Sequence, residues 1–117
     1  MGKTIKLAND TYLVNDLYSI TEKRVGTWIN GKPIYRKVVH LTTVAGVNSF
    51  GTISNLDELI DIKGAFTDGY NKLPSNFYFN QNSYIITWIN QTVLYYWCEG
   101  YVGFNGNIVI EYTKTTD

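Results

Sequence analysis

Apolar and polar residues alternate along this chain in short runs with the two-residue period of a strand. Ile108, Ile110 and Tyr112 fall on one side of segment 107–113, with Val109, Glu111 and Thr113 on the other. Ile60, Ile62, Gly64 and Phe66 alternate in the same way with Asp61, Lys63 and Ala65, which predicts a half-buried strand over 60–66. Segments 84–89 and 92–98 give two further strands. The second is apolar on both faces, with Leu94, Tyr96 and Cys98 on one and Val93, Tyr95 and Trp97 on the other. In a two-layer sandwich one face of a strand enters the core and the other meets water. This strand therefore calls for a second cover: the N-terminal arm, a bound ligand or a neighbouring subunit.

Residues 23–29 and 32–42 flank Asn30-Gly31, the strongest short-range signal for a two-residue hairpin. That register pairs Ile29 with Lys32 next to the turn, sets Trp28 across from Pro33 and lays Tyr35 over Gly26. Pro33 has no N–H to give to a ladder, so it belongs on an edge or at a strand start. Residues 46–53 read as a loop or weak strand. Asn55-Leu56-Asp57-Glu58 has the spacing of a capping box and predicts a helical turn near 55–60. Residues 67–76 read as the longest loop. Residues 1–20 carry the least pattern and are expected to form an arm or linker packing on a domain over 21–117, with Tyr12, Leu13, Val14, Leu17 and Tyr18 available to dock. Short strands separated by turn signals predict an all-β, antiparallel β-sandwich (jelly-roll-like) with at most one short helical turn; a partly closed barrel gives the same pattern.

Composition narrows the function classes. Charged residues make up 17% of the chain, and ten basic residues balance ten acidic ones, which leaves no overall footprint for nucleic acid or an anionic membrane. Ten Tyr, five Phe and three Trp are the outlier. Tyr and Trp give large contact areas with one polar end, a property that suits subunit contacts and sugar-binding surfaces as well as cores. Met1-Gly2-Lys3-Thr4-Ile5-Lys6 lacks the apolar run of a signal peptide, so synthesis in the cytoplasm is expected.

Candidate chemistry is sparse. Cys98 lies within an apolar strand and His40 on another strand, without a motif that makes a nucleophile of either. Asp57, Glu58 and Asp61 lack the spacing of a calcium loop and read as a solvated turn. The glycines of Gly100-Tyr101-Val102-Gly103-Phe104-Asn105-Gly106 fit a turn between strands and not a phosphate loop. No catalytic residue, metal or cofactor is expected. Trp88, Tyr95, Trp97 and Tyr101 are the candidate ligand-binding residues, as a platform on which sugars stack.

Two stretches carry a resemblance. Gly26-Thr27-Trp28-Ile29-Asn30-Gly31-Lys32-Pro33-Ile34-Tyr35-Arg36-Lys37 and Glu111-Tyr112-Thr113-Lys114-Thr115-Thr116-Asp117 resemble the C-terminal tip module of bacteriophage tail fibres and other virion fibres. The intervening Ser54-Asn55-Leu56-Asp57-Glu58-Leu59-Ile60-Asp61-Ile62-Lys63-Gly64 is similar to that family's middle segment, and Gly100-Tyr101-Val102-Gly103-Phe104 to the lead into its last strand. The likeness covers roughly residue 18 to the end. It implies a β-sandwich at the end of a virion fibre, assembled as a homotrimer, that binds a bacterial cell-surface polysaccharide without cofactor or catalysis. The rival readings are a structural trimerisation cap, a capsid-attached fibre domain, or a carbohydrate-binding module of an enzyme.

Overall fold

In the computed structural model, which describes residues 18–117, nine strands follow one another: β1 (Lys23–Thr27), β2 (Pro33–Thr42), β3 (Gly46–Thr52), β4 (Leu56–Thr67), β5 (Lys72–Pro74), β6 (Phe77–Asn80), β7 (Ser83–Asn90), β8 (Val93–Glu99) and β9 (Asn105–Lys114). They form two antiparallel sheets, ordered β1-β2-β9-β4-β5 and β3-β8-β7-β6. Ile108, Ile110 and Tyr112 point inward from β9 and pack with Phe66 of β4 against Ile85, Leu94, Tyr96 and Cys98 of the other sheet. The result is the predicted β-sandwich. Its nested pairs β2·β9 and β3·β8 wind as in a jelly roll, whereas β6, β7 and β8 run as consecutive hairpins in one sheet. The arm expected over residues 1–20 lies, up to residue 17, outside the described residues; beyond it, the Val38 N–H donates to the Ser19 carbonyl at 2.8 Å on the edge of β2.

The hairpin forms one residue out of the expected register. Trp28 N–H donates to the Lys32 carbonyl and Gly31 N–H to the Trp28 carbonyl, which makes a three-residue loop with Gly31 at φ 86°. Thr27 thus faces Pro33, and a bulge at Val25 sets Arg24, not Gly26, across from Tyr35. The reason is local: Asn30 Oδ1 accepts the Lys32 N–H at 3.0 Å, so Asn30 stays out of the left-handed conformation and Gly31 alone supplies it. Pro33 opens β2, as its missing donor requires.

The helical turn expected near 55–60 is absent. Asn55 takes φ 60° in a turn, and β4 starts at Leu56. The donors a capping box would satisfy go to β9 instead: Glu58 N–H donates to Thr113 Oγ1 at 3.2 Å, and Leu56 pairs with Lys114. Residues 46–53 resolve into β3, and the loop expected over 67–76 contains the short β5.

At one end of the sandwich the quoted hairpin, middle segment and C-terminal stretch hold one another. Trp28 Nε1–H donates to Glu58 Oε2 at 2.8 Å, Lys32 Nζ to Asp57 Oδ2 at 2.6 Å, and the Tyr35 hydroxyl to Asp117 Oδ2 at 2.8 Å. Beneath them the buried Tyr112 hydroxyl donates to Glu22 Oε1, and Lys114 Nζ donates to Glu22 Oε2 at 2.9 Å. Burial, then Glu22, push the Tyr112 hydroxyl far above its ordinary range, so it remains a donor. For Glu22, burial pushes the carboxyl up, but the Tyr112 hydroxyl and the Lys114 ammonium outweigh it and the net shift is downward. A lowered carboxyl pKa adds stability that is complete above the unfolded group's range and lost as pH falls through the folded value. Wild type is therefore expected to melt above Glu22→Gln at about pH 7, with the gap closing toward about pH 3, below the ordinary glutamate range. A gap that stays constant with pH would place the effect elsewhere.

Candidate functional site

The four-stranded sheet turns one face to the core and an aromatic face outward. On β8, Leu94, Tyr96 and Cys98 are buried while Val93, Tyr95 and Trp97 face away. On β7, Ile85 and Thr87 are buried, so Tyr84, Ile86 and Trp88 share the outer side. The tight turn at Gln91 (φ 57°) and Thr92 fixes the register, pairing Trp88 with Tyr95, Ile86 with Trp97 and Tyr84 with Glu99. On the flanking strands Val47 stands beside Trp97, and Tyr78 beside Tyr84.

The rings interlock across the strands. Trp88 stacks on Tyr95 with centroids 5.6 Å apart and planes 18° apart. Tyr84 meets Trp97 edge-on at 5.5 Å and stacks on Tyr78 at 5.8 Å. Trp97 Nε1–H donates to Glu99 Oε2 at 3.1 Å, which fixes the indole. Such pairs contribute about 0.5–1.5 kcal/mol each beyond burial, so the platform is preorganised. It is not closed: Trp97 remains 41% exposed and Tyr78 65%. The second cover that the doubly apolar strand calls for is supplied in part by these neighbouring rings. Among the described residues no third layer lies over them.

Three of the four candidate binding residues, Trp88, Tyr95 and Trp97, thus share this face. Tyr101 does not. It lies in the β8–β9 connection, its ring 6.0 Å from Phe77 and 5.5 Å from Phe104, and its carbonyl accepts from Thr43 Oγ1 at 2.5 Å. Tyr101 packs against the core. Tyr78 and Tyr84 are members that sequence reasoning missed. Tyr84 was within reach, since it is four residues from Trp88 on one strand and shares its face.

The remaining candidates are dispersed. Cys98 is fully buried, and burial pushes its thiol above the ordinary range. His40 is on β2 in the other sheet, exposed, with Nδ1 3.2 Å from Asn107 Oδ1. Asp57 and Glu58 are engaged by Lys32 and Trp28. Among the described residues no three His, Cys, Asp or Glu side chains gather as a metal-binding set.

Fold and site together define an antiparallel β-sandwich that carries an open aromatic platform. Comparison with protein-family models, curated proteins and solved structures finds no match to this chain.

Proposed function

We propose that this domain is the binding tip of a virion fibre and holds a bacterial surface glycan on the outer face of β7 and β8, with no bond made or broken. The observation that carries the proposal is the stacked Trp88–Tyr95 pair beside the partly open Trp97. A pyranose ring has an apolar face of C–H groups and a rim of hydroxyls. Flat rings receive the first, while Ser49, Asn90 and Glu99 on the same side can meet the second. The resemblance of the hairpin and C-terminal stretch to virion fibre tips supports the setting. The hydrogen bonds and ion pair that join those stretches give their residues a structural task, which supports a ligand surface away from them.

Fibres are threefold, so the proposal includes a homotrimer. In this reading the subunit contact lies at the edge of the platform, with the glycan in the groove next to it; the exposure of Val47 and Ile86 beside Trp97 supports it. Light scattering is expected to give about three times the 13.4 kDa chain mass.

The test is binding of polysaccharide from the host surface. Trp88→Ala and Trp97→Ala are each expected to weaken it by about tenfold or more, the cost of a modest hot spot. Undiminished binding by both folded variants removes the platform from the proposal. Excess domain should also compete with the parent phage for adsorption. Normal adsorption at saturating, folded domain favours the structural trimerisation cap.

A further inference from the structure

The outer face of the other sheet carries a feature of different chemistry. An open groove of about 410 Å³ runs over β4, β5 and β9, bordered by Ala65, Thr67, Lys72, Asn105 and Asn107. That volume is within the range of small-molecule sites, about 300–1,000 Å³. The register explains the depression: Ala65 faces Asn107 on one side and Pro74 on the other, and its single methyl leaves space between longer neighbours.

The polar groups at this groove are strongly biased toward donors. Asn107 Oδ1 lies 3.2 Å from His40 Nδ1 and accepts from it in the Nδ1–H tautomer, and Asn105 Oδ1 accepts from Thr42 Oγ1 at 2.8 Å. Each carboxamide is thereby oriented with its acceptor engaged, and its amino group has no protein partner among the described residues. Thr67 Oγ1 already accepts the Gly69 N–H at 3.0 Å, which leaves its hydroxyl proton to give. Lys72 forms no ion pair among the described residues. No carboxylate lines the groove. Amide, hydroxyl and ammonium donors around one depression, with the acceptors already engaged, fit an anionic ligand through charge-assisted hydrogen bonds.

We propose that this groove is a second ligand site, separate from the aromatic platform, and that it takes the anionic group of an acidic sugar such as a uronic acid. The proposal rests on the glycan reading for the class of ligand, but not on the platform for its binding. Two sites on opposite sheets would let one domain hold two stretches of an acidic polysaccharide, or bridge two chains. Lys72 sets the charge preference, and Asn105 and Asn107 set the orientation.

Titration of the whole chain with glucuronate, glucose and inorganic phosphate, followed by amide NMR shifts, tests this. Glucuronate is expected to move signals at Thr67, Lys72, Asn105 and Asn107, with glucose weaker by about tenfold. Lys72→Gln should weaken glucuronate by a similar factor while the melting temperature holds, because Lys72 is an exposed residue at a strand start. Trp97→Ala should leave the glucuronate-induced shifts at Thr67, Lys72, Asn105 and Asn107 unchanged. That pattern supports the groove even where polysaccharide fails to bind the platform, so the two readings fall separately. Shifts confined to the platform, or glucuronate binding insensitive to Lys72→Gln, overturn the proposal. Phosphate binding as tightly as glucuronate overturns the sugar assignment and leaves an anion site.

Discussion

Phe66→Ala is expected to cost about 3–5 kcal/mol of stability, the range for deleting a fully buried Phe. The side chain is inaccessible to water, and its ring lies on Gly106 across the β4–β9 pair. A Cβ added at Gly106 would come within 2.4 Å of that ring, which shows how closely the aromatic covers the bare backbone. Truncation therefore removes core volume and also uncovers the centre of the five-stranded sheet. Domains of this kind hold a total of about 5–15 kcal/mol, so the variant should be near the edge of folding. Urea unfolding followed by tryptophan fluorescence measures the loss. A change below about 1 kcal/mol would mean that the site collapses to fill the void.

Gly64→Ala should be comparably severe, for another reason. Gly64 takes φ 144°, and a Cβ there would stand 2.2 Å from the Asn107 carbonyl oxygen and 3.2 Å from Ile108 Cα. These are backbone atoms of the neighbouring strand, so no side-chain rotation relieves the overlap. Strain in this region of φ costs about 1–3 kcal/mol alone, and separating β4 from β9 adds ladder hydrogen bonds to the loss. We expect at least about 3 kcal/mol in all, a value that belongs to named mechanisms of this type. Gly31→Ala is the control. It also has positive φ, 86°, but nothing lies within 4 Å, so only the conformational penalty of about 1 kcal/mol is expected. Equal melting of the two variants would contradict the steric account.

The contrast between these glycines shows what the sequence makes legible. Strand β9 is readable because its apolar residues alternate and point at one core, and β7 and β8 because each is a short apolar and aromatic run bounded by turn residues. The hairpin is readable as an element but not in register, because a single side-chain bond from Asn30 decides between two- and three-residue loops. The segment at 55–60 misleads because its capping-box spacing is local, whereas its partner Thr113 is 55 residues away. Strands β5 and β6, three and four residues long, are too short to show a period. For the platform, the sequence places Tyr95 and Trp97 on one face of their strand. Adding Trp88, and excluding Tyr101, depends on strand pairing and on where the β8–β9 connection folds. Tyr78 joins through the β6–β7 pairing, which no alternation announces.

Cys98 offers an unplanned timekeeper. It is the chain's one cysteine, it is fully buried in β8, and burial disfavours its thiolate. The thiolate is the reactive form, so a thiol reagent can modify this protein only after the two sheets part. The rate of labelling then measures how often the interior opens under native conditions, without denaturant. Each copy takes one label. In the proposed trimer, the mass distribution of partly labelled protein would therefore reveal whether neighbouring copies open singly or in concert.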